Sequence, residues 1–194
     1  MRLDRGILAD LAVEVMLKDY VRVTPMAYAA TPLGVGYGAT RFASPSRAFK
    51  VIYLGQNLTT GLAETIIRDR FQGRARRRLM RDEVDQWGAT VVNSTAPLTL
   101  IDLRTTGLIR LGVSTEAARG KAQAQGRGLS QAIYDQTDAD GLIYLSRLTG
   151  QTCVCIYERA LPGPLVATPV VEVMRLAGFV SALRHLNVVL IASR

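Results

Sequence analysis

The sequence predicts a mixed α+β fold in a single domain that spans residues 1–194. Runs rich in β-branched and aromatic residues come in clusters, separated by helical patterns, whereas a parallel α/β sheet would show regular alternation of strand and helix. In addition, 48% of the residues are hydrophobic and 21% are charged, which is typical of a globular chain. A chain of this length buries a core without disulfides or metals.

The first half of the chain is expected to contain two helices and two strands. In chain order we expect a helix over 4–16, a strand over 20–25, a loop over 29–40 and a strand over 49–55. Pro25 ends the first strand, since proline has no backbone N–H to donate to a sheet. Thr59 or Thr60 then caps a helix that carries Glu64 in or just after its first turn.

The second half of the chain is expected to be richer in strands. We expect strands within 89–97, 98–104, 138–147, 152–158 and 187–192, one or two helices within 114–136, a turn at 161–165 and a helix over 169–184. The signals are β-branched runs for the strands and apolar residues at helical spacing for the helices.

The cysteines and the histidine limit the chemistry of the chain. Cys153 and Cys155 lie on the same face of a predicted strand, and two buried small hydrophobic residues are a simpler interpretation than a redox pair. His185 is the only histidine, so we expect no metal site of the zinc type. A Ser-His-Asp triad would need His185 as its base.

The charge of the chain indicates the chemistry of its partners. The net charge is +8 and the sequence pI is about 10.0, which favours nucleic acid, phosphorylated small molecules or an acidic protein. The apolar runs are too short or too often interrupted by charge to span a membrane, and the N-terminus lacks a secretory signal pattern. We therefore expect a cytoplasmic protein that does not bind membranes.

A basic run over residues 74–81, "RARRRLMR", supports an alternative function as a nucleic-acid-binding module. In a helix, Arg74, Arg77, Arg78 and Arg81 would share one face. A solvated basic helix, or an interface for an acidic partner, is the more common outcome for such a run. The run also lacks the interleaved aromatic residues that stack on bases, so direct binding of nucleic acid is not favoured.

Residues at the ends of the predicted elements form the candidate site. They are Arg22, Arg41, Phe42, Tyr53, Glu64, Tyr144 and Ser146. Taken singly, an arginine in an ion pair or a glutamate near a helix start has a structural explanation. Together they predict a pocket with cationic, aromatic and acidic walls. Such a pocket suits a dinucleotide, since arginines bind a diphosphate, rings stack on a base and a carboxylate accepts from ribose hydroxyls.

The order of these residues resembles the RES-domain family, which comprises toxins of bacterial toxin–antitoxin modules. The motifs are "YVRVTP" with Arg22, "GYGATRF" with Arg41, "VIYLGQNLTTGLAETIIR" with Tyr53 and Glu64, and "DGLIYLS" with Ser146. They span about residues 20–160. The usual family motif before the second strand is Gly-Gly-Arg-Trp. Here Phe42 replaces the tryptophan and the second glycine is missing.

The resemblance implies a fold similar to the ADP-ribosyltransferase toxins and cleavage of the nicotinamide–ribose bond of NAD. The acceptor of ADP-ribose would be water, phosphate or a host protein. Glu64, Arg41 and Ser146 would be catalytic, with Glu64 stabilising positive charge on the ribose. The NAD-binding set would be Arg22, Arg41, Phe42, Tyr53, Tyr144 and Ser146, with the arginines on the diphosphate. The resemblance also implies a cognate antitoxin, an Xre-like helical protein that covers the active site.

Overall fold

A computed structural model describes residues 1–68, 74–120, 122–161 and 163–192. The strands in these ranges are β1 (Ala12–Val15), β2 (Tyr20–Pro25), β3 (Val51–Gly55), β4 (Arg77–Met80), β5 (Trp87–Ser94), β6 (Leu98–Asp102), β7 (Gly141–Leu145), β8 (Thr152–Tyr157), β9 (Leu165–Ala167), β10 (Val171–Glu172) and β11 (Val188–Ile191). The helices are α1 (Arg5–Asp10), α2 (Leu58–Leu62), α3 (Arg81–Asp85), α4 (Gly107–Arg110), α5 (Glu116–Arg119), α6 (Ala124–Gln136) and α7 (Phe179–His185), with a π-helix at Ala63–Ile67 and 3₁₀ turns at Met26–Tyr28, Glu158–Ala160 and Val173–Arg175. The predicted mixed α+β fold is confirmed.

The main sheet has the order β1-β6-β7-β8-β3-β2-β5-β10, and β9 also pairs with β5. Within this sheet β6 and β7 are parallel, and the other pairs are antiparallel. β4 and β11 form a separate two-stranded parallel sheet. The parallel pair β6–β7 needs a long crossover connection, and α4, α5 and α6 supply it.

The centre of the sheet is split. Among the described residues, β2 and β3 pair at the single position Val21–Gly55, whereas β3 pairs with β8 along its whole length. Beyond that position the two strands separate, and the loop between them returns to β3 through a bridge from Gly36 to Val51. The sheet therefore opens a gap between two strands whose other edges are fully paired.

Three hydrophobic clusters hold the sheet and the helices together. One cluster lies between the sheet and the helices α1 and α4 to α6, and it includes Leu8, Leu129 and Leu142. A second contains residues of α2, the π-helix and α7. The third joins Ile52 on β3 to Val92 on β5 together with residues of β6, β7 and β8. The third cluster therefore contains side chains from strands on both sides of the split. These side chains can meet only if the sheet curls around them.

Two of the predicted helices are wrong in extent. The helix expected over 4–16 ends at Asp10, and Ala12–Val15 instead forms β1 along β6. The alternation of exposed and half-buried residues in β1 fits a sheet edge, and this tertiary pairing outweighs the local helical spacing. The helix expected over 169–184 is confined to Phe179–His185, preceded by β10 and a 3₁₀ turn.

The basic run does not form the helix on which a shared basic face depends. Arg77–Met80 is strand β4, which pairs with β11, and a helix begins at Arg81. Alternate side chains of a strand point to opposite faces, so the shared basic face of a helix does not form. Arg77 Nη1 instead donates to the carbonyl of Leu186 at 2.7 Å. This removes the geometric basis of the nucleic-acid alternative.

Most other predicted elements are confirmed, with small shifts at their ends. The strands at 20–25 and within 49–55, 89–97, 98–104, 138–147, 152–158 and 187–192 all form, as do helices within 114–136. The cap of α2 is Asn57 rather than Thr59 or Thr60, since Asn57 Oδ1 accepts from the Thr60 amide at 2.9 Å. No helix in the described ranges has the length and apolar character needed to cross a bilayer.

Candidate functional site

A cavity of about 750 Å³ occupies the gap between β2 and β3. Its walls include Val21 to Pro25 from β2 and Val51 to Gly55 from β3, together with residues of the 31–38 loop and the π-helix. This volume lies in the range of small-molecule sites. Four of the sequence-predicted site residues line the cavity, namely Arg22, Tyr53, Glu64 and Tyr144.

Glycines bring the helix that carries Glu64 close to the split. A Cβ at Gly55 would lie 2.7 Å from the amide nitrogen of Gly61, and a Cβ at Gly61 would lie 3.1 Å from Val23 Cγ2. Gly55 therefore allows the tight turn from β3 into α2, and Gly61 lets α2 pack closely on β2. The π-helix follows α2 directly and contains Glu64. A π-turn inserts one residue into a helix and redirects its side chains, and such turns are frequent at functional sites.

The Glu64 carboxylate is held from behind by Ser146. Ser146 Oγ donates to Glu64 Oε1 at 2.6 Å. The backbone amides of Leu148 and Thr149 each donate to Ser146 Oγ at 3.1 Å. These amides occupy the acceptor side of the hydroxyl, so its proton points to the carboxylate. Ser146 is buried and does not line the cavity, whereas Glu64 does, so Ser146 orients the carboxylate from outside the cavity through one of its two oxygens.

Arg68 is the cation nearest to Glu64 among the described residues. Arg68 Nη1 lies 4.0 Å from Glu64 Oε2, and the two side chains are 18% and 19% exposed. Both residues line the cavity. The carboxylate therefore accepts a hydrogen bond on one oxygen and has a guanidinium 4.0 Å from the other. Sequence reasoning missed Arg68, although its spacing of four residues from Glu64 on one helix is a signal for such a pair.

Tyr53 is anchored through its hydroxyl. Tyr53 Oη accepts from the Phe42 amide at 2.9 Å and shares a hydrogen bond with Thr40 Oγ1 at 2.8 Å. Burial raises the pKa of Tyr53 well above its ordinary value, so the phenol stays neutral. The hydroxyl ties the end of the 36–42 segment to β3, while the ring lines the cavity.

Tyr144 and the two cysteines lie on the same side of the sheet as Tyr53. Tyr144 pairs across the ladder with Cys153, and Cys155 pairs with Tyr53. The prediction that the cysteines are buried core residues is confirmed, and both are free thiols. Burial raises the pKa of both thiols and of the Tyr144 phenol. Cys153 also lines the cavity, where its neutral thiol adds to an uncharged wall.

Arg22 holds the loop that follows β2. Its Nη1 and Nη2 donate to the carbonyls of Pro32 and Gly34, both at 2.6 Å. These bonds use two of the five N–H groups of the guanidinium. Burial lowers the pKa of Arg22 to about 10, so the group remains a cation at neutral pH. The structure thus gives Arg22 a role in shaping the cavity that the sequence did not indicate.

Arg41 and Phe42 lie beneath the cavity rather than in its walls. Arg41 is buried under α6, and its Nη1 donates to the carbonyl of Gly120 at 2.6 Å. Burial lowers the pKa of Arg41, and the nearby charge of Glu64 opposes this shift. Phe42 is 0% exposed. Its ring packs edge-on against Tyr144, with 4.9 Å between the centroids. The structure therefore does not bring these two side chains to the ligand surface, and Phe42 supports the Tyr144 ring instead.

Three aromatic residues that sequence reasoning missed also line the cavity. Tyr28 follows β2 on a 3₁₀ turn, Tyr37 lies on the loop, and Trp87 begins β5. Tyr28 and Tyr37 are 61% and 54% exposed, and Lys50 Nζ lies 4.9 Å from the Tyr37 ring centroid. Trp87 is the only tryptophan of the chain, and this is the one sequence feature that could have marked it as a candidate site residue. These rings give the cavity an aromatic side that the sequence motifs do not include.

Comparisons with known proteins agree with this architecture. A curated relative named "Probable toxin y4kH", from Sinorhizobium fredii (strain NBRC 101917 / NGR234), is 36% identical over 81 residues, which are 41% of this chain and 64% of the relative's length. A chain from the crystal structure of the M. tuberculosis MbcT-MbcA toxin-antitoxin complex superposes with a TM-score of 0.67, covering 95% of this chain and 98% of that chain at 17% identity. This second likeness shows a shared fold. The RES domain profile matches residues 17–177, and because this match covers most of the chain, the protein belongs to the RES domain family.

Proposed function

We propose that the protein is the toxin of a toxin–antitoxin module and that it cleaves the nicotinamide–ribose bond of NAD. The observation that carries the proposal is the carboxylate of Glu64, fixed by Ser146 at 2.6 Å and facing a cavity of about 750 Å³ with aromatic and cationic walls. Membership of the RES domain family and the name of the curated relative support the toxin assignment.

The chemistry requires negative charge near the ribose. Departure of nicotinamide builds positive charge on the ribose carbon, as in glycoside hydrolysis, and a nearby carboxylate stabilises that charge. Glu64 supplies the carboxylate, and Ser146 prevents it from rotating away. The neutral phenols of Tyr53 and Tyr144 provide rings beside it without adding charge that would compete with Glu64.

The cavity also fits the rest of a dinucleotide. Arg22 is a cation beside the split and Arg68 a second one next to Glu64, and both line the cavity. Charge-assisted hydrogen bonds to phosphate are among the stronger polar contacts in proteins. The acceptor of ADP-ribose is water, phosphate or a side chain of a host protein, and these outcomes correspond to glycohydrolase, phosphorylase and transferase activity.

A cognate antitoxin controls the activity in this proposal. The net charge of +8 favours capture by an acidic partner, since complementary charge speeds association. We propose a helical, Xre-like protein that covers the mouth of the cavity. The toxin–antitoxin complex that shares the fold supports such a partner. Purified complex should then consume NAD more slowly than the free chain, and free chain expressed alone should arrest growth.

The experiment that tests the reaction compares two matched glutamate variants. Purified protein is incubated with NAD, with and without phosphate and cell lysate, and small molecules and proteins are analysed by mass spectrometry. Glu64→Gln should abolish release of nicotinamide, because the amide keeps the hydrogen bond from Ser146 but lacks the charge. Glu14→Gln is the control, since Glu14 Oε1 also accepts from a hydroxyl, that of Thr99 at 2.7 Å, but lies outside the cavity. A folded Glu64→Gln protein with normal turnover would refute the proposal.

A further inference from the structure

The cavity has two chemically different ends. At one end Val21, Gly55, Cys153 and Tyr144 lie side by side across four strands, as their registers show, and Glu64 is joined to Ser146 just beyond this row. The other end lies at the end of β2, where Pro25 pairs with Trp87 on β5. Four residues of strand separate the two ends, or about 13 Å at roughly 3.3 Å per residue.

Aromatic residues gather at the second end. Trp87 is half-buried, packs against the cluster under α2 and α7, and lines the cavity. Tyr28 lies on the 3₁₀ turn that directly follows β2, and that turn is tied to β5 by the Met26 amide, which donates to the Gln86 carbonyl at 2.8 Å. Trp87 is therefore held on one side by the core while it contributes to the wall of an open cavity. Such a ring is ordered before a ligand arrives, which lowers the cost of binding.

Arg22 lies between these ends along β2 and lines the cavity, with its side chain leaving the strand on the face opposite to Val21 and Pro25. The sequence of groups is thus a carboxylate with phenols, then a cation, then an indole with a phenol. A dinucleotide has a matching order, namely the ribose whose bond breaks, the diphosphate and the purine nucleoside.

We infer that Trp87 and Tyr28 form the subsite for the adenine ring of the dinucleotide. The inference rests on the proposed function, because the adenine ring reaches Trp87 only if the nicotinamide ribose lies beside Glu64. Every base has a face that stacks on an aromatic ring, and such stacking contributes about 1–3 kcal/mol per base. That range corresponds to roughly 5- to 150-fold in affinity.

Binding measurements on truncated ligands test the inference. Calorimetry of the wild-type chain is run with AMP, ADP-ribose and nicotinamide mononucleotide. Trp87→Leu should weaken AMP and ADP-ribose by roughly 5- to 150-fold and should leave nicotinamide mononucleotide within about twofold, while Trp87→Phe keeps most of the affinity. Since Trp87 is the sole tryptophan, AMP should also change the intrinsic fluorescence of the wild-type chain. In turnover assays Trp87→Leu should raise KM for NAD with little change in kcat.

A matched control and a second variant separate binding from folding. Tyr134 is a half-buried aromatic residue that stacks on Phe49 at 4.2 Å between centroids, outside the cavity, and Tyr134→Leu should keep the affinity for ADP-ribose. Where Trp87→Leu fails to fold, Tyr28→Ala replaces it, since Tyr28 is 61% exposed and its loss leaves the core intact. The same selective loss of adenine ligands is expected.

The outcomes distinguish the two proposals. If none of the three ligands binds, the proposed function itself is overturned. If ADP-ribose binds but Trp87→Leu and Tyr28→Ala bind it as the wild type does, the adenine subsite alone is overturned. Equal weakening of nicotinamide mononucleotide and AMP by Trp87→Leu would show a structural role for Trp87, and selective weakening of nicotinamide mononucleotide would reverse the orientation. Either result would also overturn the inference.

Discussion

Replacement of Ser146 by alanine tests whether Ser146 orients the Glu64 carboxylate or only stabilises the fold. The change removes the bond from Ser146 Oγ to Glu64 at 2.6 Å and the acceptor of the Leu148 and Thr149 amides. A hydrogen bond to a charged group contributes about 1.5–3 kcal/mol. The two amides lie in a turn near the surface, where Leu148 is 39% exposed, so water can replace part of what they lose. We expect a loss of about 1.5–3 kcal/mol, or roughly 3–12 °C in Tm for a chain of this size.

Ser130→Ala is the matched control for this prediction. Ser130 is 0% exposed, and its Oγ donates to the Phe42 carbonyl at 2.7 Å and hydrogen-bonds with Tyr157 Oη at 3.1 Å. Its loss should cost a similar ~1–3 kcal/mol, since the Phe42 carbonyl loses its donor in the buried interior. Ser130 does not contact Glu64, however, so the two variants differ mainly in the position of that carboxylate.

Steady-state assays of NAD consumption and thermal unfolding are run on both variants. Ser146→Ala should lower kcat by about 10²-fold, because a displacement of about 1 Å of a reacting group has an effect of this size. Ser130→Ala should keep kcat within a few-fold. Equal losses of kcat in the two variants would show that instability explains the effect, and normal kcat in a folded Ser146→Ala protein would show that Glu64 does not depend on Ser146.

Three further substitutions test contacts around the site. Tyr53→Phe should destabilise the chain by about 1–3 kcal/mol, because the buried Phe42 amide loses its acceptor; equal denaturation midpoints would contradict this. Gly55→Ala should cost about 1–3 kcal/mol, since its Cβ would lie 2.7 Å from a backbone nitrogen of α2; an unchanged Tm would show that the turn relaxes freely. Burial alone would raise the pKa of Asp102, but hydrogen bonds from Arg104 outweigh it and hold the pKa below its ordinary value. Asp102→Asn should therefore lower stability at neutral pH, with a difference that shrinks as the pH falls below about 4; a difference independent of pH would refute the reasoning.

The sequence predicted the parts of the fold that depend on local pattern. Strands rich in β-branched residues, such as "TCVCIYE", were found because alternation and burial act within a few residues. The helix predicted over 4–16 was wrong beyond Asp10, because Ala12–Val15 pairs with β6. Within the basic run, Arg77–Met80 forms a strand because it pairs with β11. Both partners lie far away in the chain. A helical period in a short segment carries no information about such a partner.

The candidate site was predictable to a similar extent. Glu64, Tyr53 and Tyr144 line the cavity, and each lies within a strand or helix that the local pattern predicts. The positions of Arg41 and Phe42 beneath the cavity depend on contacts with α5 and α6 that no local pattern shows. Trp87 reaches the cavity through the register of β5 with β2, and a single sequence does not contain that register.

The split between β2 and β3 has a consequence for how the cavity wall responds to substitution. Beyond the one pairing at Val21–Gly55, the cavity runs along the backbones of two strands, and main-chain N–H and C=O groups are the same whatever side chain each residue carries. Substitution of a wall side chain therefore leaves these main-chain groups in place. A side chain at Gly55 is different, since its Cβ would lie 2.7 Å from the Gly61 amide nitrogen and would change the closed end of the split itself.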